Sequence, residues 1–156
     1  MRVGLGYDIH QLVDGRKFLL GGVVLPSPKG PLGHSDGDCL YHAVTDAILG
    51  ALGLGDIGKH FPDTDAKWKN ADSAVFLKET KRLLDEKKMA IENLDANLHL
   101  ESPKLVPHVP QMIQNLANLL GIDAQRINLK AKRGEGMDAV GRGEAVAAHV
   151  VVLLCP

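Results

Sequence analysis

Apolar and polar residues alternate along residues 2–12, a pattern that predicts a β-strand. Residues 17–26 follow as two short apolar runs around Gly21-Gly22, a dipeptide typical of tight turns, and so predict a hairpin. Strand patterns also occur in three later segments, 90–101, 127–133 and 144–154. A glycine-rich connection separates the last two of these predicted strands.

Three other segments place apolar residues three and four positions apart, which is the spacing of an amphipathic helix. The first begins at Asp38 and ends before Gly53, with an apolar face made of Leu40, Val44, Ala47, Ile48, Ala51 and Leu52. The second extends from about Ser73 to Lys88, and the third from Pro107 to Gly121, with proline in its first turn. Residues 26–38 and 55–72 are rich in glycine, proline and polar residues and are predicted loops.

These elements predict an α+β fold in one domain spanning residues 1–156, with a mixed or antiparallel sheet and helices packed on one of its faces. The last strand is apolar on both faces, as Ala147, Val150 and Val152 illustrate. The face without helices therefore needs a partner, and we expect the sheets of several copies to face each other.

Composition narrows the functional classes. The chain has 18 Lys and Arg against 19 Asp and Glu, so its net charge of -1 gives no general attraction to nucleic acid or to an anionic membrane. No apolar run approaches the roughly 20 residues of a membrane span, and the first residues lack a signal-peptide core. We therefore expect a cytoplasmic protein. Cys39 and Cys155 are far apart and indicate neither a disulfide framework nor a thiolate zinc site.

A candidate metal site begins on the first strand. Side chains two positions apart lie on the same face of a strand, so Asp8 and His10 point the same way. Residues 34–46 supply further acids and histidines, of which His42 is the best third ligand; Asp38 or Asp46, one turn away, could orient its second nitrogen. An Asp-His-His set suits zinc and leaves a fourth position open. The alternative is a surface hydrogen bond between Asp8 and His10 and an ordinary packed His42.

A second candidate site binds anions. Lys130, Lys132, Arg133 and Arg142 lie among glycines after a strand, where cations and backbone N–H groups can hold phosphates, and Glu135 could bind magnesium beside them. The alternative is a solvated hairpin loop. The chain contains no P-loop, no dinucleotide fingerprint and no nucleophile elbow.

Four segments of the chain form a specific combination: GYDIHQL, GHSDGDCLYHAVTDAILGALGLGDIGKHFPDTD, SPKLVPHVPQM and GRGEA. Together they resemble the 2-C-methyl-D-erythritol 2,4-cyclodiphosphate synthases of the non-mevalonate isoprenoid pathway, and the resemblance extends over essentially the whole chain. It implies a homotrimer with active sites between subunits. The implied reaction is attack of the 2-phosphate of 4-diphosphocytidyl-2-C-methyl-D-erythritol 2-phosphate on the β-phosphorus, with release of CMP.

The resemblance also implies roles for individual residues. Asp8, His10 and His42 match zinc ligands or those of another divalent transition metal, and Glu135 matches a ligand of the Mg²⁺ or Mn²⁺ that accompanies the diphosphate. His34 and Ser35 match phosphate contacts, and His34 together with the position of Arg133 matches groups that stabilise the transition state. The remaining substrate contacts implied are Asp56, Ile57, Gly58, Phe61, Asp63 and Asp65 around the methylerythritol, Leu100, Lys104, Leu105 and Val106 around the cytidine of a neighbouring subunit, and Lys132 and Arg142.

One segment departs from the family pattern. Family members usually carry hydroxyl residues where this chain has Lys132, Arg133 and Gly134. We predict that the two cations replace the hydroxyl donors at the phosphates. Two other functions stay open at this point: a zinc-dependent phosphohydrolase that uses water as nucleophile, and an inactive homologue that binds the phosphate ligand without turnover.

Overall fold

A computed structural model describes every residue from Met1 to Pro156, and most of its helices pack on a central sheet. The strands are β1 Arg2–Asp14, β2 Phe18–Leu20, β3 Val23–Leu25, β4 Lys29–Pro31, β5 Ala90–His99, β6 Ile127–Lys132 and β7 Ala145–Cys155. The helices are α1 Cys39–Leu52, α2 Ile57–His60, α3 Ala74–Glu86, α4 Val109–Leu120 and α5 Asp138–Gly141. Short 3₁₀ turns occupy Ala66–Trp68, Val106–His108 and Ala124–Arg126.

The central sheet has five strands in the order β4-β1-β7-β5-β6. Only β5 and β6 run parallel; the other neighbours are antiparallel. The hairpin β2-β3 forms a separate pair of strands. The mixed sheet with helices on one face confirms the α+β prediction, and none of the helices has the length and apolar character needed to cross a membrane.

Two predicted loops contain short elements. Residues 26–38 include β4, which pairs with β1 from Leu12–Pro31 to Asp14–Lys29, and 55–72 include the single turn α2. Neither was visible in the sequence, since three residues of Lys-Gly-Pro show no alternation and a four-residue helix shows no periodicity. Both are stabilised by other elements: β4 by its partner strand, and α2 by Asp46 of α1, whose carboxylate accepts a hydrogen bond from Ile57 N at 2.7 Å. The cap of α2 is Asp56, whose carboxylate accepts from Lys59 N at 2.9 Å.

Two glycines allow α1 to lie directly on β1. A Cβ added at Gly4 would come within 1.8 Å of the Ala47 carbonyl oxygen, and one at Gly6 within 1.9 Å of the Ala43 carbonyl oxygen. Asp8 follows on the same face of β1, because side chains of alternate strand residues share a face. The glycines therefore bring the first turns of α1, with His42, over the part of β1 that carries the acid and the imidazole.

The start of α1 is tied to the β2-β3 turn by Asp38. Its buried carboxylate accepts hydrogen bonds from Gly21 N at 2.9 Å, Gly22 N at 2.8 Å and Tyr41 N at 3.1 Å. The last of these is the N-cap bond of α1, and both turn glycines have positive φ values, 57° and 70°. One carboxylate thus caps the helix and fixes the hairpin predicted at these glycines.

The sheet face without large helices is apolar over β1 and β7. Val3, Leu5, Tyr7, Ile9 and Val151 are all more than two-fifths exposed there. Val150 and Val152 point into the core and are fully buried, while Ala147 on the outer face is covered locally by Val140 of α5. A free apolar surface of this kind is unusual for a monomer and agrees with the expected association through the sheet.

Candidate functional site

A cavity of about 370 Å³ opens between β1, the start of α1 and the segment that follows α1. Its walls carry Asp8, His10, His34, Ser35, His42, Ile57, Gly58, Phe61, Pro62, Asp63, Trp68 and Phe76. The candidate metal ligands thus share one space with the histidine and serine expected at the phosphates. They also share it with part of the segment expected around the methylerythritol.

Three side chains at the bottom of this cavity converge. Asp8 Oδ2 lies 2.9 Å from His10 Nδ1 and 3.1 Å from His42 Nδ1, and ligand atoms of the three residues all lie within 4.8 Å of one another. His10 Nδ1 is buried and makes no hydrogen bond despite its short distance to Asp8. Both ring nitrogens point at the same carboxylate oxygen, and one of them, His10 Nδ1, has no hydrogen-bond partner. This arrangement is better explained as a binding site for a divalent metal ion than as a network of hydrogen bonds.

The charges of this cluster are strongly coupled. Burial alone would raise the pKa of Asp8, but the short contacts to His10 and His42 and the charges of these two residues hold that pKa well below its usual range. Burial lowers the pKa of His42, but the hydrogen bond and negative charge of Asp8 outweigh it, so the net shift is upward. An anionic Asp8 is the form that a metal requires, and the metal binds His42 in its neutral form.

The other nitrogen of His42 faces two hydroxyl groups. His42 Nε2 lies 2.8 Å from Ser73 Oγ and 3.1 Å from Ser35 Oγ. The Ser73 hydroxyl in turn donates a hydrogen bond to Asp36. The prediction that Asp38 or Asp46 would orient this nitrogen was wrong, because both carboxylates accept hydrogen bonds from backbone N–H groups instead: Asp38 from the β2-β3 turn, and Asp46 from Ile57 N at 2.7 Å.

The segment after α1 contributes only some of its predicted residues. Ile57, Gly58, Phe61 and Asp63 line the cavity, as proposed for methylerythritol contacts. Asp56 and Asp65 are not among the lining residues. Asp56 caps α2, and Asp65 accepts from Lys67 N at 2.9 Å to cap the 3₁₀ turn that follows.

An aromatic wall was missed by the sequence analysis. The ring of Phe61 lies 4.7 Å from that of Phe76 and 5.2 Å from that of Trp68, and His42 lies 5.9 Å from Phe76. In the sequence, Phe76 lies in the second predicted helix and Trp68 in the predicted loop 55–72, and neither was predicted to line the site. No local motif joins them to Phe61, because they meet only once α3 folds back beside α1.

A second cavity, of about 190 Å³, lies between the end of β5, the start of α4 and β6. Its lining residues are Leu100, Glu101, Lys104, Leu105, Val106, Ala131, Lys132 and Arg133. The predicted cytidine contacts and two of the predicted phosphate-binding cations therefore come together. No residue lines both this cavity and the first one.

Glu101 organises the loop after β6. Its carboxylate forms an ion pair with Arg133 and accepts hydrogen bonds from Gly134 N and Glu135 N, both at 3.0 Å. The hydrogen bond from Arg133, its charge and the two backbone N–H groups keep the pKa of Glu101 below its usual value. Glu101 was not predicted as a functional residue, although it directly precedes the SPK segment that is part of the family resemblance.

Glu135 and Arg142 lie outside both cavities of the single chain. Glu135 is exposed, with a positive φ of 52°. Arg142 forms an exposed ion pair with Glu144 at 3.0 Å, after α5. Their predicted contacts with magnesium and with phosphate therefore stay predictions.

Comparisons with known proteins agree with this geometry. The YgbB family model matches residues 1–155. A 2-C-methyl-D-erythritol 2,4-cyclodiphosphate synthase of Desulfosudis oleivorans is 56% identical over 154 residues, covering 99% of this chain and 92% of the relative. One of Geotalea uraniireducens is also 56% identical, with 99% and 98% covered.

Solved structures give the same result. A structure of a 2C-methyl-D-erythritol-2,4-cyclodiphosphate synthase in a CDP-bound form superposes with a TM-score of 0.91 at 44% identity, covering 99% of this chain and 100% of that one. The CDP complex of IspF from Plasmodium falciparum gives a TM-score of 0.87 at 36% identity, with 99% and 96% covered. With the fold, the converging ligand set and the full-length match in agreement, the chain belongs to the YgbB family.

Proposed function

We propose that this protein is a 2-C-methyl-D-erythritol 2,4-cyclodiphosphate synthase. It would convert 4-diphosphocytidyl-2-C-methyl-D-erythritol 2-phosphate into the cyclic diphosphate and CMP. The observation that carries the proposal is the Asp8-His10-His42 cluster, which opens into a cavity shared with His34 and Ser35. The relatives that bear this name match the chain from end to end.

The reaction needs no water and no covalent protein intermediate. An oxygen of the 2-phosphate forms a bond to the β-phosphorus, while the bond from that phosphorus to the oxygen bridging the α- and β-phosphates breaks. The electron pair leaves with CMP, which makes the enzyme a phosphorus–oxygen lyase. Catalysis of this kind depends on holding two mutually repelling phosphates in line and on neutralising their charge.

Two metal positions follow from the proposed ligands. Asp8, His10 and His42 would hold Zn²⁺ or another divalent transition metal, and Glu135 would hold Mg²⁺ or Mn²⁺. When bound, such ions polarise the phosphoryl oxygens and neutralise negative charge. The uncoordinated Nδ1 of His10 supports the first position. The second rests on the resemblance, since Glu135 lies beside the second cavity rather than in it.

Protein side chains do the rest of the positioning. His34 and Ser35 would contact the phosphates, with His34 stabilising charge in the transition state. Ile57, Gly58, Phe61 and Asp63 would surround the methylerythritol, and the aromatic wall beside them limits the access of water. Ser35 is almost completely buried, so its hydroxyl is held in place before substrate arrives.

A homotrimer would complete the site. Substrate carries its diphosphate and methylerythritol at one end and cytidine at the other, while the matching residues of one chain line two separate cavities. Placing the second cavity of one subunit against the first cavity of its neighbour would let one substrate reach both. The exposed apolar face over β1 and β7 offers a surface for this assembly.

Lys132 and Arg133 would then act on the phosphates from the neighbouring subunit. Arg133 lines the second cavity and is oriented by Glu101, so its guanidinium is presented as a fixed, charged donor. A guanidinium there can replace a hydroxyl as a hydrogen-bond donor to a phosphate oxygen, and its charge, partly offset by Glu101, strengthens that hydrogen bond. We expect the enzyme to work in the cytoplasm.

Phosphorus NMR with the cytidyl diphosphate substrate tests the proposal directly. With Mg²⁺ and with Zn²⁺ present, we expect a cyclic diphosphate and CMP to appear together, and chelation of the metals to stop both. Inorganic phosphate or an open-chain product would identify a phosphohydrolase instead. Unchanged substrate in the presence of both metals would identify a binding protein without turnover.

A further inference from the structure

Two histidines meet on the outer face of the sheet, away from both cavities. His99 ends β5 and His149 lies in the middle of β7, where the two strands run antiparallel. His149 Nδ1 lies 3.3 Å from His99 Nε2, and the two ring centroids are 5.1 Å apart at 72°. Tyr7 of β1 packs against the other side of His149, with ring centroids 4.6 Å apart. The position of both imidazoles is therefore set by the sheet and its neighbours.

The separation of the two nitrogens suits a shared metal ion. Zinc binds imidazole nitrogen at about 2.0–2.1 Å with tetrahedral angles, which places two such ligands about 3.3–3.4 Å apart. The observed distance of 3.3 Å falls at that value without any movement of the backbone. A hydrogen bond of this length between two neutral imidazoles would be weak, so the metal geometry fits at least as well.

Asn97 lies directly opposite His149 on β5, and its side-chain oxygen is buried without a hydrogen-bond partner. This amide oxygen lies on the same face of the sheet as the two imidazoles and has no hydrogen bond that would compete with a metal ion.

We propose that His99 and His149 form a second transition-metal site on the outer face of the sheet, taking a borderline divalent ion such as Zn²⁺, Ni²⁺ or Cu²⁺. Imidazole is a preferred ligand of these ions, and the carbonyl oxygen of Asn97 is available to extend the coordination. The site is independent of Asp8, His10 and His42, which lie on the helix side of β1. A bound ion would join β5 to β7 on the face proposed for association between subunits.

Equilibrium dialysis of the full-length protein against Zn²⁺, with bound metal counted per chain, tests this site. We expect wild-type protein to bind more zinc than the first cluster alone can hold. The variants His99→Gln and His149→Gln should each lose this additional zinc and keep the remainder. Asp8→Asn should show the reverse, a loss at the first cluster with the additional zinc retained. His108→Gln, at a histidine outside both sites, is the matched control and should bind as wild type.

The proposal is overturned if wild-type protein binds no zinc beyond the first cluster. It is equally overturned if the additional zinc survives in both His99→Gln and His149→Gln, since the two histidines would then be only a hydrogen-bonded pair. Cu²⁺ bound to the double variant His10→Gln, His42→Gln gives a second readout: its electron paramagnetic resonance spectrum should show coupling to imidazole nitrogen, and adding His149→Gln should remove that signal. Because neither histidine contacts the first cavity, failure here would leave the proposed synthase activity standing.

Discussion

The hydroxyl oxygen of Ser73 lies 2.8 Å from Nε2 of His42, on the side of the ring opposite Asp8. Ser73 is fully buried, and its own hydroxyl donates to Asp36. His42 therefore donates a hydrogen bond from Nε2 to Ser73, and Ser73 donates one to the Asp36 carboxylate. With its proton on Nε2, the ring has Nδ1 free to bind a metal. Ser73 makes no capping hydrogen bond to α3, so this contact is its side chain's main role.

Ser73→Ala should therefore weaken zinc binding at the first cluster. Loss of an outer hydrogen-bond partner of a ligating histidine costs about 10–100-fold in metal affinity. We expect a value near the lower end, because Ser35 Oγ still lies 3.1 Å from His42 Nε2, and a larger loss in the double variant with Ser35→Ala. Competition with a chromophoric chelator measures the affinity. Ser27→Ala, in the turn before β4, is the control and should bind zinc normally.

The close approach of α1 to β1 predicts a large effect of a single methyl group. In Gly6→Ala the new Cβ would lie 1.9 Å from the Ala43 carbonyl oxygen, so the helix must move. Such overpacking costs about 3 kcal/mol in the free energy of unfolding. Because Ala43 is next to His42, displacement of α1 should also reduce zinc affinity. Urea unfolding and the chelator assay measure the two effects.

Gly50→Ala in the same helix is the matched control. Its nearest neighbour would be the Leu5 carbonyl oxygen at 3.9 Å, an ordinary contact, and Gly50 is exposed. Alanine is the better helix former, so the free energy of unfolding should rise by about 0.5–1 kcal/mol. If Gly6→Ala were as stable as wild type, α1 would not depend on the bare backbone of β1.

Much of the metal cluster could be predicted from sequence because each part of it is local. The spacing of Asp8 and His10 fixes a shared strand face, and His42 lies early in a clearly periodic helix. The partners of His42 could not be predicted in this way. Ser73 is 31 positions away, and its proximity depends on how α3 packs against α1. The spacing of Asp38 and Asp46 from His42 made them plausible hydrogen-bond partners of its ring, but their carboxylates accept hydrogen bonds from backbone N–H groups instead.

In the fold too, elements set by a local sequence pattern could be predicted, and elements set by contacts between distant segments could not. Long periodic segments such as α3 and β5 were predicted close to their observed bounds. The strand β4 and the turn α2 were not, since each is stabilised by contacts with other parts of the chain rather than by its own pattern. The proposed joining of the two cavities by a neighbouring subunit could likewise not be predicted from the spacing of residues in one sequence.

Leu5→Glu tests the proposed assembly. Leu5 is 69% exposed in the middle of the apolar face, where a buried carboxylate without a partner would be costly. Light scattering should give three times 16.8 kDa for wild type and a single 16.8 kDa chain for the variant, with loss of turnover. Val24→Glu, an exposed apolar residue of the β2-β3 hairpin, should change neither property. A wild-type monomer with full activity would contradict the shared site.

Arg133→Ala should lower kcat/KM by at least about 10-fold, corresponding to a charged hydrogen bond of roughly 1.5–3 kcal/mol to phosphate. Arg133→Lys should recover only part of the loss. Lysine keeps the charge, but it lacks the planar guanidinium that donates to Glu101 through Nε and Nη2 and still has N–H groups left for phosphate. Arg82→Ala, which removes an exposed arginine of α3, is the control. Turnover and substrate affinity unchanged in Arg133→Ala would refute a role for this cation.

The two thiols should differ sharply in reactivity. Cys39 is fully buried at the start of α1, and burial raises the pKa of its thiol well above the usual value, with a further rise from Asp8 and Asp38. A raised thiol pKa means less thiolate at any given pH, so Cys39 should stay unreactive between pH 7 and 9. Ellman's reagent should label one thiol per chain in the native protein and two in guanidinium chloride. Cys155→Ser should abolish the native signal; rapid native labelling in that variant would show that α1 opens at its first turn.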